Sequence, residues 1–390
     1  MATNFEFIFH GTGSSGSIPA IGCITSKAGL ENCQTCASSL TPEGRKNNRR
    51  NTGGIFRIPR SDGPDVTIVI DVGKNFLASS MDWFPKYGLR RIDAVLLTHP
   101  HADAMNGLDD LRGWTDAKQG IQTHIDIYAS QESYAFVQNA FPYLISKEHA
   151  SGGGFVPQFN WHIIKPDEPF VVCDIEVTPF AVHHGRLFSQ PSLIPGLPIL
   201  PTPESSLPST PKLKFSSLPQ AESPKHSSPL LQVPEKVAES VHPFYCLGFV
   251  ILDVVYISDV SEIPPEAWRT IEKAKKRPYS LFVLDCLRPR PHPSHYGLAQ
   301  AITTARRLDE TGNLRTYFVG FCHDVAHEQW EQICRRVRDQ EENSLAGEPE
   351  DKVVAEALGR VPSGDPVWIA PAYDGLRLFI DEEGRVREDA

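Results

Sequence analysis

The sequence predicts an α/β protein in which short buried strands alternate with helices and end in histidines or carboxylates. Two observations point there. Aliphatic runs such as Val66-Thr-Ile-Val-Ile70, Ala94-Val-Leu-Leu97, Val254-Val-Tyr-Ile257 and Leu281-Phe-Val-Leu284 have the length and composition of fully buried strands. Between such runs lie segments whose apolar residues follow helical spacing, as at Tyr134, Val137, Phe141 and Leu144 in a helix expected across Glu132 to Ile145.

A chain of 390 residues is long enough for one large domain of two or four layers, or for two modest ones. With 40% hydrophobic and 22% charged residues it reads as an ordinary soluble protein. No apolar run approaches the roughly 20 residues that span a bilayer, and Met1-Ala-Thr-Asn-Phe-Glu6 lacks a secretory pattern, so a cytoplasmic address is expected, with a nuclear one left open. A net charge of −10 disfavours nucleic acid as a partner, and Arg45-Lys-Asn-Asn-Arg-Arg50 reads as a solvated loop. Eight cysteines in this context are expected as thiols and metal ligands rather than as a disulfide framework.

In chain order, Glu6 to His10 reads as a first strand, and Gly11-Thr-Gly-Ser-Ser-Gly-Ser17 as a tight turn whose spacing fits neither a P-loop nor a dinucleotide fingerprint. Cys23 and the Cys33-Gln-Thr-Cys36 pair follow. Two thiolates on one turn suit a tetrahedral zinc, while a redox role would need a βαβ context that is missing. The strand Val66 to Ile70 ends at Asp71, which by residue type is equally a simple turn or cap aspartate.

The most informative stretch is Ala94-Val-Leu-Leu-Thr-His99-Pro-His101-Ala-Asp103. Residues two apart in an extended segment point the same way, so both imidazoles face one spot, and a bend brings the Asp103 carboxylate toward it. Two imidazoles and a carboxylate suit zinc, and also manganese or iron. After a strand at Ile125 to Tyr128, the expected helix and a loop at Gly152 to Gly154, the run Ile175 to Val182 ends in His183-His184-Gly185.

From Pro191 to Pro243 the composition shifts, with twelve of the 33 prolines, which sustains neither ladder nor helix. The expectation is a single domain over 1–390, interrupted by a disordered Pro/Ser-rich insertion at about 187–243. The domain resumes at Tyr245 to Ile251. Val254 to Ile257 leads to Asp259, and Pro264-Pro265 opens a helix. Leu281 to Asp285 precedes His292-Pro-Ser-His295 and a helix from Leu298 to Arg307. Thr316 to Val319 leads to His323-Asp324, with Asp324 a candidate cap for a helix from Ala326 to Val337. The acidic run Asp339 to Asp351 reads as a solvated loop, and Leu376 to Ile380 as a last strand.

His99-Pro-His101-Ala-Asp103, followed by Gly107-Leu-Asp-Asp-Leu-Arg112 and later by His292-Pro-Ser-His295, resembles the metallo-β-lactamase fold hydrolases. Within them it is similar to the cyclic phosphodiesterase branch of the carbon–phosphorus lyase pathway and, more distantly, to tRNase Z. The resemblance implies a metallo-β-lactamase αββα four-layer sandwich. It implies His99, His101, Asp103, His184 and Asp259 as ligands of one or two catalytic zinc ions, with Mn2+ as a substitute, and Asp71 as the residue orienting a metal-bound histidine. It also implies a structural zinc held by Cys23, Cys33, Cys36 and His323, although the stretch Ile24 to Asn32 separates the first two cysteines.

The expected substrate is a small or cyclic phosphodiester, attacked by a water that a divalent cation makes reactive. Arg112 and His292 would hold phosphate oxygens, while Asp103 and His295 would be catalytic, His295 protonating the leaving alkoxide. Two residues depart from the two-metal pattern: Ala104 and Gly320 stand where relatives with a full second site have histidines. Two alternatives remain beside phosphodiester hydrolysis, a same-fold hydrolase of a thioester or other acyl substrate and a non-catalytic scaffold held by zinc. A homodimer is left open.

Overall fold

The computed structural model describes residues 3–116, 118, 120–188, 241–339 and 351–389. Residues Met1–Gly185 and Tyr245–Ala390 form one compact unit, and Arg186–Phe244 a second. The expected insertion at about 187–243 falls almost entirely outside the described residues, as does most of the acidic run.

In chain order the strands are β1 (Thr3–Gly11), β2 (Gly53–Ile58), β3 (Val66–Ile70), β4 (Ala94–Leu96), β5 (Ile125–Ala129), β6 (Phe159–Ile163), β7 (Phe170–Val172), β8 (Ile175–Phe188), β9 (Val241–Ile251), β10 (Val254–Ile257), β11 (Leu281–Asp285), β12 (Arg315–Val319), β13 (Ile369–Pro371), β14 (Arg377–Asp381) and β15 (Val386–Glu388). They form two sheets, ordered β15-β14-β1-β2-β3-β4-β5-β6 and β13-β12-β11-β10-β9-β8-β7. β3 through β6 are mutually parallel, as are β10 through β13, and antiparallel strands flank each parallel block.

Three apolar layers separate four layers of structure. Between the sheets lie Phe5, Phe7, Phe9, Phe56, Ile68, Ile70 and Leu96 from one side and Phe249, Val254, Tyr256, Val283 and Tyr317 from the other. Strand periodicity sends the alternate residues Ile8, Ile55, Val69 and Val95 to the opposite face, against Phe76 and Phe84 of the helix Phe76–Tyr87. On the second sheet, Val255, Ile257 and Phe282 likewise face away, against Trp268, Ile302, Trp330 and Ile333 of the helices Pro265–Ala274, Leu298–Leu308 and His327–Asp339. A sheet that buries both faces needs apolar side chains at every position, which explains why β3, β4, β10 and β11 carry near-continuous aliphatic runs. The αββα sandwich expected from the sequence is the observed architecture.

Several boundaries differ from expectation. The helix expected across Glu132 to Ile145 is Gln131–Ala140, because Pro142 cannot continue its ladder; a 3-10 turn over Pro142–Leu144 follows. The strand expected to stop at Val182 runs on through His183 and His184. Asp351, read as part of a solvated run, accepts hydrogen bonds from Val353 N and Val354 N and caps the helix Lys352–Leu358. Among the described residues no helix is long and apolar enough to cross a membrane.

Candidate metal centre

In a sheet with parallel strands the chain leaves every carboxyl end at the same edge, where side chains from distant segments converge. Here β4 leads to His99 and His101, β10 to Asp259 and β12 to Gly320, while β11 ends in Asp285 and β8 carries His184. The ligand atoms of His99, His101 and His184 lie within 4.8 Å of one another, as do those of His184, Asp259 and His295. His184 Nε2 stands 3.3 Å from His101 Nδ1.

Three of these side chains, His99, His184 and His295, are each oriented by a neighbour. Thr98 Oγ1 donates to Asp71 Oδ2 at 2.7 Å and Thr98 N to Asp71 Oδ1 at 2.9 Å. With its one proton committed, the Thr98 hydroxyl accepts from His99 Nδ1 at 2.8 Å, which turns the Nε2 lone pair of His99 away from Thr98. Asp71 therefore reaches His99 through Thr98 and not directly. His184 Nδ1 donates to the Ser294 carbonyl at 2.8 Å. His295 Nδ1 donates to Asp285 Oδ2 at 2.9 Å and lies 3.7 Å from Asp259 Oδ1.

Burial lowers the pKa of His99 and His101 and brings that of His184 to about 3, so all three imidazoles are neutral and present lone pairs. Burial also opposes charge on His295, yet Asp285, Asp259 and Asp103 outweigh it and raise its pKa to about 9. Burial opposes the ionisation of Asp259 as well, but the histidines around it, the protonated His295 among them, hold its carboxyl below the ordinary range. Three neutral imidazoles beside one ionised carboxylate form a donor set that fits zinc.

The remaining expected residues sit differently. Asp103 lies in the short helix Ala102–Met105 and belongs to none of the three-ligand groups among the described residues; burial and the nearby Asp259 charge raise its pKa to about 6. Arg112 is held by the carboxylate of Asp109 and donates to Phe155 O at 3.3 Å. The His292 ring lies 5.4 Å from that of His295, and its Nδ1 accepts from Ser294 N at 3.3 Å. His183 pairs instead with Glu262 at 3.3 Å.

Gly320 has a φ of 79°, and a Cβ there would collide with Asp285 Oδ1. The place where a histidine would begin is thus occupied by the carboxylate that holds His295. Asp285, Thr98 and the Ser294 carbonyl were not picked out from the sequence as site groups. For Asp285 the available signal was its position as a carboxylate closing a buried strand.

A second cluster lies apart from the first. Cys23, Cys33 and Cys36 Sγ stand 3.4, 3.3 and 3.6 Å from His323 Nδ1. Zinc bond lengths of about 2.3 Å to sulfur and 2.0–2.1 Å to nitrogen give a tetrahedral edge of about 3.5 Å. This Cys3His set therefore fits a closed zinc site despite the inserted helix Lys27–Asn32 between its first two thiols.

The two sheets, their outer helices and the histidines at the strand ends define a metallo-β-lactamase fold protein. Residues 66–199, beginning at β3, match the family described as β-lactamase superfamily domain. Over 97% of its length it is 23% identical to an octanoyltransferase from Porphyromonas gingivalis, of which it covers 52%, so it spans about half the length of that relative. A solved diphosphatase of the PhnP family is 21% identical, with a TM-score of 0.58 over 97% of this chain and 98% of the other. Zinc-bound PqqB from Methylobacterium extorquens is 15% identical, with a TM-score of 0.54 over 96% of this chain and all of the other. At these identities the structural likeness concerns the fold.

Proposed function

We propose that the chain is a metal-dependent phosphodiesterase acting on a small or cyclic phosphodiester. The observation that carries this reading is the convergence of His99, His101, His184 and Asp259 beside a histidine, His295, that Asp285 holds in its protonated form. A divalent cation on those ligands would supply a Lewis acid for the phosphoryl oxygen and a water ionisable near neutral pH.

The chain's own residues would do the rest. His295 carries a proton next to the site and gives it to the leaving oxygen. Asp103, with its pKa near 6, is ionised at neutral pH and takes the proton that the attacking water loses. Thr98 and Ser294 fix the tautomers of His99 and His184 before substrate arrives. The Cys3His cluster would hold a structural zinc and no substrate. In this reading Arg112 contacts phosphate only by exchanging its bond to Asp109, so His292 is the nearer candidate for a phosphate oxygen.

The name of the P. gingivalis relative supports a second reading, hydrolysis or transfer of an acyl group, though that protein is nearly twice as long. Purified protein assayed on bis-p-nitrophenyl phosphate and on an acyl thioester separates the two. Turnover of the diester that disappears in a folded His99→Ala variant supports the proposal, and turnover of the thioester alone overturns it.

A further inference from the structure

Next to the histidine cluster, at the same strand ends, lies a pocket of about 250 Å³ lined by Thr98, Glu132, Pro166, Ala181, Tyr245 and Leu247. Its floor belongs to the site: Thr98 holds His99, and Leu247 N donates to Thr98 O at 2.9 Å. The volume falls below the roughly 300–1,000 Å³ of pockets that enclose a drug-sized molecule, so it suits one ring-sized group rather than a whole ligand.

The walls specify what that group is. Pro166, Ala181 and Leu247 are apolar, and the Tyr245 ring is 49% exposed. The ring meets His183 close to edge-on, with centroids 5.6 Å apart. Glu132 is the one charged group among the described lining residues, and its carboxylate makes no hydrogen bond or ion pair with any described residue. The other hydroxyl of the lining, Ser130 Oγ, is committed to Ser133. Among the described lining residues none is cationic, so a second phosphate would meet only the like charge of Glu132 from them.

We propose that this pocket is the subsite for the non-reacting part of the substrate, and that it takes a flat, uncharged or cationic ring bearing hydrogen-bond donors. The ring stacks on Tyr245 and donates to Glu132. For the reaction this deepens the phosphodiesterase reading, while the binding stands apart from it.

The test has two arms, both on the full chain. In the first, adenosine, which has an amino-bearing ring and no phosphate, is titrated by ligand-observed NMR into the wild type, Glu132→Ala, Glu132→Gln and Tyr245→Ala. Hydrogen bonds to charged groups predict affinity falling about 10- to 100-fold in Glu132→Ala, with part retained by the acceptor oxygen of Glu132→Gln. Stacking predicts a loss of about tenfold in Tyr245→Ala.

In the second arm, Glu132→Ala raises KM for adenosine 2′,3′-cyclic phosphate by the same factor and leaves kcat intact. Its effect on KM for bis-p-nitrophenyl phosphate, which has no donors, is smaller than its effect on KM for the cyclic nucleotide. Equal adenosine affinity in wild type and variants, or no binding to the wild type, overturns the subsite. Variant-sensitive binding without any diester hydrolysis upholds it and overturns the reaction.

Discussion

The two clusters of potential ligands are built in opposite ways. Cys23, Cys33 and Cys36 come from one run of short helices, of which Ile21–Ile24 and Lys27–Asn32 bury no residue and Gln34–Ser38 buries only Thr35 and Cys36. His99, His101, His184 and Asp259 come from the ends or interiors of three strands that are packed on both faces. Under the proposed reading the first cluster would depend on a bound cation for local order, because its first two helices contribute no buried residue. The second is held in place by the sandwich, so its geometry is set without a cation, and under the proposed reading a cation there would serve reactivity.

That contrast can be broken or sharpened by four experiments. The largest effect is expected for His99→Ala, which should lower diester hydrolysis by about 10³-fold with little change in Tm, because the strands around it remain. Assay and thermal melting together check this, and a large fall in Tm would mean that the sheet cluster is structural as well.

Cys33→Ser should have the converse signature. Elemental analysis should find one zinc fewer per chain, and the denaturation midpoint should fall by the equivalent of about 3 kcal/mol. An unchanged midpoint would show that the loop holds its shape without the cation.

Asp285→Ala removes the carboxylate that orients His295 and should cost about 10- to 100-fold in kcat, the range seen when partners of site histidines are lost. Retained activity would remove His295 from the proton-transfer role. The smallest effect is expected for Gly320→Ala. A left-handed backbone and a Cβ in conflict with Asp285 Oδ1 should lower stability by about 1–3 kcal/mol, read from urea unfolding. A neutral result would show that Asp285 can yield its place, reopening room for a side chain there.

Much of this was legible in the chain itself. The runs at Val66, Ala94, Val254 and Leu281 are all strands, and His99, His101, His184, Asp259 and His295 gather near their ends. What escaped the sequence reading is of one kind. Thr98 relays Asp71 to His99, Asp285 holds His295, and Ser294 holds His184 through its backbone carbonyl. None of these roles is written in a residue type, not even that of Ser294 inside His292-Pro-Ser-His295, because a hydrogen-bond partner is defined by where it lies. Arg112 shows the reverse: a residue type suited to phosphate is taken up by Asp109, three positions away on the same turn.

By itself, the amino-acid order determined the layered α/β architecture and the shared direction of His99 and His101, since strand and helix periodicity and the spacing of those two histidines are local properties. The tertiary structure alone decided which donors share a cluster, which histidine is neutral and which charged, and why position 320 has no room for a side chain. Those outcomes depend on burial and on distances between strands far apart in the chain. They are set by how two sheets pack across a common apolar layer.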